Sequence, residues 1–258
     1  MEPEHNGFTS ATRVLTSAIA PLERRTLLWL AHRLPPAINS DHLTALAALS
    51  MAAAGASYWL AAIDRRFLIG VVVALAANWF GDSLDGTVAR VRGHERPRYG
   101  FYVDHIVDAG GVLLLLGGLA LSGFMSPLVA CGVLAAYYLV MIEVCMATYT
   151  LGRFKISYWQ FGPTELRIVL AIGTLALWWH PAVTVFGRRL PLFDVGGLIA
   201  IVGLVATAGV SAVTNGRALF RAEPRPPSRN AESACRMHDA GAPRSEPACR
   251  APRAPQQP

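Results

Sequence analysis

The sequence predicts an all-α polytopic membrane protein with six transmembrane helices and an N-terminal amphipathic helix on the membrane surface. Of its 258 residues, 53% are hydrophobic, which is too large a share for an ordinary soluble domain. Six apolar segments are long enough to cross the hydrocarbon core, which takes about 20 residues. Backbone exposed to lipid must satisfy its own hydrogen bonds, so each segment should be a helix. The segments lie near residues 43–63, 67–90, 100–122, 127–150, 164–180 and 194–215.

The chain before the first span has an amphipathic pattern. Residues 12–34 interleave leucine and alanine with arginine and histidine, which predicts a helix lying in the membrane interface. Pro35 and Pro36 should end it. Ser40 or Asp41 is then expected to cap the N-terminus of the first span, because their side-chain oxygens can accept a bond from an unpaired backbone N–H.

Composition divides the chain into three parts. Residues 1–40 form the N-terminal segment, 41–221 the membrane domain and 222–258 a tail. The tail holds eight of the 17 prolines and few large apolar side chains, so we expect it to be disordered and cytoplasmic. The net charge of +6 suits the anionic surface of a bilayer. No nucleic-acid-binding motif is present, and we expect no nucleic-acid partner.

The basic residues predict the orientation in the membrane. The loops after the second and fourth predicted spans are basic, whereas the opposite loops carry only Arg65, Arg66, Arg188 and Arg189. Because arginine and lysine concentrate in cytoplasmic loops, both termini should face the cytoplasm. Arginine supplies 22 of the 23 basic residues, which suggests a GC-rich genome. The predicted location is therefore a bacterial inner or cell membrane.

Four carboxylates interrupt the apolar pattern at the cytoplasmic ends of spans two and three. Asp82 and Asp85 are three residues apart, and Asp104 and Asp108 are four apart, so each pair lies on one helical face. A carboxylate within a membrane helix costs roughly 2.5–3.5 kcal/mol. Hard cations prefer such oxygen ligands and can offset that cost. The four residues therefore predict a site for Mg²⁺ or Mn²⁺, with two ions.

Residues between the two acidic pairs suit a phosphate ligand. Gly86 and Gly100 have no side chain that would keep a ligand or backbone away, and Ala89 continues the face of the first acidic pair. Arg90 closes this segment with a guanidinium fork that matches phosphate oxygens. A metal-bound pyrophosphate is the ligand that this combination favours.

The pattern Asp-x2-Asp-Gly-x2-Ala-Arg-x9-Gly-x3-Asp-x3-Asp resembles the signature of the CDP-alcohol phosphotransferases, also called CDP-alcohol phosphatidyltransferases. All eight signature residues are present: Asp82, Asp85, Gly86, Ala89, Arg90, Gly100, Asp104 and Asp108. The resemblance implies a CDP-alcohol donor, often CDP-diacylglycerol. An acceptor alcohol attacks the phosphorus that bears the donor alcohol, and CMP leaves. It further implies a role in phospholipid biosynthesis and a homodimer.

The resemblance also implies roles for individual residues. Asp82, Asp85 and Asp104 match metal ligands, and Asp108 matches a residue that is both a metal ligand and the proposed general base. The nucleotide pocket would be formed by Gly86, Ala89, Arg90 and Gly100. Thr44 joins this pocket by its place in a segment that often reads Pro-Asn-x-Leu-Thr, although Ser40 and Asp41 replace the proline and asparagine here.

Two other functions fit part of the pattern. Asn78-x3-Asp82-x2-Asp85 loosely resembles the diphosphate-binding motif of intramembrane prenyltransferases, and the acids alone could serve a non-enzymatic cation transporter. Release of CMP would separate these readings from the favoured one. Five further charged residues suit either headgroup and acceptor recognition or ordinary ion pairs; Glu165 and Arg167 open span five, and the others are Glu143, Arg153 and Lys155.

Overall fold

The structure is a computed structural model that describes residues 20–151 and 163–223. The predicted positions Arg153 and Lys155 lie outside the described residues, as do residues 1–19 and nearly all of the predicted tail. Within the described ranges the chain forms seven helices and one β-hairpin. In chain order they are α1 (Ala20–Arg33), α2 (Ser40–Ala61), α3 (Phe67–Val91), α4 (Pro97–Leu121), α5 (Pro127–Leu151), α6 (Pro163–Ala176), β1 (Ala182–Val185), β2 (Arg188–Pro191) and α7 (Leu192–Ala222).

Five of these helices, α2 to α5 and α7, are long and apolar enough to cross a membrane. The chain is therefore a polytopic all-α membrane protein. The predicted span 164–180 is represented by α6, which has 14 residues. A helix of that length covers about 21 Å, less than the hydrocarbon core of about 30 Å. By length and composition, five helices among the described residues could therefore cross a membrane, and the predicted sixth span is not confirmed.

The segment before α2 departs from the prediction at one cap. Asn39, not Ser40 or Asp41, is the N-cap of α2, so that prediction was wrong. The Asn39 side chain accepts a hydrogen bond from the backbone N–H of His42, and the backbone N–H of Asn39 donates to Nδ1 of His42. This reciprocal pair forms a capping box. It begins the helix one residue earlier than a cap at Ser40 would.

Helix α2 is the common packing surface for α3 and α4. A Cβ on Gly81 of α3 would lie 2.6 Å from the carbonyl oxygen of Leu43, and a Cβ on Gly118 of α4 would overlap the backbone of Gly55. These glycines therefore let the helix backbones touch. Because Gly81 immediately precedes Asp82, the close approach fixes the height of the first acidic pair against α2.

Helix α6 runs along α3 towards the turn between α2 and α3. The hydroxyl groups of Tyr58 and Thr174 share a buried hydrogen bond of 2.6 Å between α2 and α6. Further along, Nη1 of Arg65 in the α2–α3 turn donates to the carbonyl oxygen of Trp178. The chain then forms the antiparallel hairpin, whose turn residues Phe186 and Gly187 have φ values of 50° and 76°. The far end of α6 therefore lies level with the turn between α2 and α3.

Helix α7 runs parallel to α5. Asp194 accepts bonds from the backbone N–H and the hydroxyl of Ser126 at the start of α5, where a carboxylate complements the helix dipole. Near the other end, Nδ2 of Asn215 donates to Oε1 of Glu143 at 2.7 Å. The packed unit ends at Asn215. A second unit begins at Gly216, and the structure describes its first residues as the last turns of α7.

Candidate active site

Three of the four predicted aspartates converge. One carboxylate oxygen from each of Asp82, Asp104 and Asp108 lies within 4.8 Å of the others. Asp82 comes from α3, and the other two come from successive turns of α4. Because α3 and α4 both pack on α2, acids that are 22 residues apart in sequence meet at one height in the helix bundle. All three side chains are half-buried.

Asp85 is held slightly apart from this group. Its Oδ2 accepts a 2.6 Å hydrogen bond from the hydroxyl of Thr44 on α2, and its Oδ1 accepts one from the backbone N–H of Gly86. Thr44, which was predicted to border the nucleotide, therefore contacts an acidic residue of the motif. Its bond to the carboxylate is shorter than its 3.1 Å contact with the Ser40 carbonyl.

A guanidinium neutralises part of the acidic cluster. Nη2 of Arg167 lies 2.6 Å from Oδ2 of Asp82, and Nε of Arg167 donates to Oδ1 of Asn78 at 2.8 Å. Asn78 is buried and donates through Nδ2 to the Ala47 carbonyl on α2. Asn78 is thus a buried polar residue whose side chain is bonded within the helix bundle. Arg167 connects α6 directly to the acidic motif.

The residues predicted for the nucleotide pocket leave open space beside the acids. A Cβ on Gly100 would meet no atom within 4 Å, and one on Gly86 would come within 3.5 Å only of the Arg90 guanidinium. Nη2 of Arg90 donates to the hydroxyl of Thr87 at 3.2 Å. No packing contact among the described residues therefore requires glycine at position 100.

A cavity of about 320 Å³, lined largely by polar and charged residues, lies beside this motif between the start of α2, the end of α3 and the loop before α4. Of the residues predicted for the nucleotide, only Ala89 lines it. An ion pair between Arg96 and Asp41 joins the loop to α2 here. The full lining comprises Asn39, Ser40, Asp41, Val88, Ala89, Arg92, His94, Glu95 and Arg96.

Comparison with known families decides the identity of the fold and the reaction class. The family model described as CDP-alcohol phosphatidyltransferase matches residues 40–210, a stretch that includes both acidic pairs and α2 to α6. The chain belongs to the CDP-alcohol phosphatidyltransferase family. It is therefore a membrane phosphotransferase that takes a phosphoryl group from a CDP-alcohol. No curated protein matches the chain.

The carboxylates of this CDP-alcohol phosphatidyltransferase suit a divalent cation. Three carboxylate oxygens within 4.8 Å of one another can ligate one hard ion, and such ions prefer carboxylate oxygen. The open space at Gly100 also leaves room for a ligand next to Asp104. The donor set thus fits the metal dependence expected from the sequence.

Two residues that sequence reasoning missed organise the surroundings of the site. Oε1 of Glu23 on α1 accepts bonds from Nε1 of Trp79 and the hydroxyl of Ser83 on α3, and from the hydroxyl of Thr164 on α6. A signal for Glu23 was present, because it lies four residues before Leu27, on the buried face of α1. One carboxylate thereby links three helices beside the acidic motif.

Arg92 is the second such residue, and its sequence context marked it only as part of a basic loop. Its guanidinium donates to the carbonyl oxygens of Leu34, Pro35, Pro36 and Ile38. These carbonyls follow the C-terminus of α1, where backbone acceptors lack partners within the helix. Arg92 therefore fixes the end of the α1 segment against the end of α3.

The other charged candidates are Glu143 and Glu165, which the structure describes, and Arg153 and Lys155, which lie outside the described residues. Glu143 bonds to Asn215 on α7, which satisfies the carboxylate without the acidic motif. Glu165 is half-buried in the first turn of α6. Arg167, also left open by the sequence, contacts the acidic motif through Asp82.

Proposed function

We propose that this protein transfers a substituted phosphoryl group from CDP-diacylglycerol to an acceptor alcohol and releases CMP, as a step of phospholipid biosynthesis. The convergence of Asp82, Asp104 and Asp108 carries the proposal. The cluster belongs to a motif on apolar helices, and Ala89 of that motif borders a cavity lined largely by polar residues. A diacylglycerol moiety can remain among the helices there, while the nucleotide stays in water.

The four aspartates of the motif would hold two Mg²⁺ or Mn²⁺ ions. When bound, such ions neutralise the pyrophosphate and the charge that develops during phosphoryl transfer. Asp82, Asp104 and Asp108 supply converging oxygens, and Thr44 orients the carboxylate of Asp85. Asp108 is also assigned the role of general base, accepting the proton of the acceptor hydroxyl.

The nucleotide portion of the donor would occupy the face formed by Gly86, Ala89, Arg90 and Gly100. The absence of side chains at the glycines gives the pyrophosphate close access to the helix backbone. Arg90 offers a fork of N–H donors to phosphate oxygens. The polar cavity that shares Ala89 suits the polar nucleoside.

Six spans remain our proposal for the topology. Thr164 at the start of α6 and Ser83 near the end of α3 both bond to Glu23, so they lie at the same height. Trp178, just after α6, accepts a bond from Arg65 in the α2–α3 turn, at the opposite end of α3. The described part of α6 and the residues after it thus run beside most of α3.

We further propose a cytoplasmic site and cytoplasmic termini, and a surface position for α1. Residues 41–221 would form the membrane domain of a homodimer in a bacterial membrane.

The decisive experiment measures CMP release by the purified protein in mixed micelles. CDP-diacylglycerol, CDP-choline and CDP-ethanolamine are each offered with a panel of glycerol phosphates, amino alcohols and polyols, and the lipid product is identified by mass spectrometry. We expect CMP only from CDP-diacylglycerol, only with Mg²⁺ or Mn²⁺, and only with a matching acceptor. Full activity in excess EDTA would exclude the metal site. Pyrophosphate release from a prenyl diphosphate, or cation flux without CMP, would instead support one of the two alternative functions.

A further inference from the structure

Arg167 is fixed on the acidic cluster by two directed contacts. Its guanidinium bonds to Asp82 through Nη2 and to Asn78 through Nε. Asn78 is only 3% exposed and is itself anchored to the Ala47 carbonyl of α2. The guanidinium plane is therefore oriented from two sides. A loosely placed surface arginine would not be held in this way.

The pair is largely shielded from water. The side chains of Arg167 and Asp82 are 15% and 21% exposed, so the attraction between their charges is weakly screened. Asp82 also faces the carboxylates of Asp104 and Asp108 within metal-binding distance. Three carboxylates so close together repel one another, and removal of their cationic partner would leave uncompensated charge in the protein.

Asp82 thus contacts the Arg167 guanidinium and is also a proposed ligand of a divalent cation. A divalent ion bound to Asp82, Asp104 and Asp108 gains from the negative charge of Asp82, and the guanidinium on Oδ2 diminishes that gain. The two cations also repel each other across a short distance. From this geometry, and resting on the metal site of the proposed function, we infer that Arg167 is a built-in counter-ion that stabilises the metal-free protein and weakens its affinity for divalent cations.

This role differs in its signature from a structural one. A structural arginine supports the site, so its loss lowers protein stability and metal affinity together. A counter-ion opposes the metal, so its loss lowers the stability of the metal-free protein but raises the metal affinity. The difference in sign can be read without measuring catalysis.

The test titrates Mn²⁺ into purified protein in detergent and follows free Mn²⁺ by electron paramagnetic resonance, with thermal unfolding recorded in parallel. We expect Arg167→Gln to bind Mn²⁺ at least tenfold more tightly than the wild type. Its melting temperature without metal should be lower, and saturating Mn²⁺ should raise it by more than in the wild type. Arg65→Gln is the matched control, because it removes an arginine contact at the far end of the same segment and should leave Mn²⁺ affinity unchanged.

Arg167→Lys keeps the test decisive if Arg167→Gln does not fold. Lysine retains the charge but cannot contact Asn78 and Asp82 with one planar group, so Mn²⁺ affinity should rise by a smaller factor, about threefold. If the wild type binds Mn²⁺ and these variants bind it equally or more weakly, the counter-ion role of Arg167 is overturned while the metal site stands. Failure of wild type and variants alike to bind Mn²⁺ would overturn the metal site and the counter-ion with it.

Discussion

Asp108 is the residue at which metal binding and proton transfer can be separated. Its carboxylate is one of the three converging groups, and it lies one helical turn further along α4 than Asp104. Asp108→Asn keeps the size of the side chain and one carbonyl oxygen but removes charge and basicity. If its main role is that of general base, turnover should fall by about 10²–10⁴ while CDP-alcohol binding persists.

The control for this prediction is Asp104→Asn, which removes charge from the same cluster without removing the proposed base. We expect it to weaken Mn²⁺ binding and turnover together, and excess Mn²⁺ should restore part of both. Single-turnover CMP release and equilibrium Mn²⁺ titration are the measurements. Wild-type turnover in Asp108→Asn would eliminate both roles for this residue.

Thr44 should act through Asp85. Thr44→Val preserves shape but removes the donor of the 2.6 Å bond to the carboxylate. A hydrogen bond to a charged group contributes about 1.5–3 kcal/mol, so we expect turnover to drop roughly tenfold or more. Thr44→Ser retains the hydroxyl and should stay within a few-fold of the wild type. Equal activity of the valine and serine variants would contradict this role.

At the scale of the helix, the crossing of α2 and α4 makes a sharp stability prediction. A Cβ on Gly118 would overlap the backbone of Gly55, whereas one on Gly117 would meet nothing within 4 Å. Gly118→Ala should therefore destabilise the protein by about 1–3 kcal/mol or more, as overpacking does. Gly117→Ala is the neighbouring control and should not destabilise. The readout is the thermal unfolding midpoint in detergent, and equal midpoints would show that the crossing can relax.

The link between α1, α3 and α6 depends on Glu23. Glu23→Ala deprives Trp79, Ser83 and Thr164 of a common acceptor. Because Thr164 is one turn before Arg167, we expect a lower melting temperature and also a several-fold fall in activity. Limited proteolysis should show faster cleavage near the end of α1. Unchanged cleavage and activity would mean that packing at Leu27 and Ala31 suffices to seat the helix.

The topology of the whole molecule can be tested with three engineered cysteines, in a background in which the four native cysteines are replaced by alanine. His94 lies between α3 and α4, Arg66 between α2 and α3, and Arg188 between α6 and α7. If α6 crosses the membrane, cysteines at 66 and 188 should react with an impermeant reagent from one side and a cysteine at 94 from the other. Labelling of 188 together with 94 would mean that α6 does not cross.

Most of the helical architecture could be predicted from the sequence because apolar length is a local property. The five long helices fall where the apolar segments placed them, and the two acidic pairs lie on the faces that their spacing indicated. Asn39 was missed as a cap because its partner His42 is outside the usual pairing of Ser or Thr with Glu or Gln. The sequence did not indicate that α6 ends at Ala176, because the apolar segment continues to about residue 180.

The side-chain contacts between helices far apart in the chain could not be predicted from a single sequence. That Thr44 would donate to Asp85, or that Arg167 rather than Glu165 would reach Asp82, depends on how α2, α3 and α6 are rotated against one another. Glu143 shows the same limit, since its partner Asn215 lies 72 residues away. Charge and spacing indicated which residues needed partners but not which partners they would find.

The position of Glu23 has a consequence for the order in which the protein assembles. One of its partners, Thr164, is synthesised 141 residues later. At about 5–20 residues per second, the ribosome delivers that residue on the order of ten seconds after the acid itself. Until then only the partners of Glu23 on α3, Trp79 and Ser83, are available. Helix α1 can therefore pack against α3 first, and its contact with α6 forms only after Thr164 has been made.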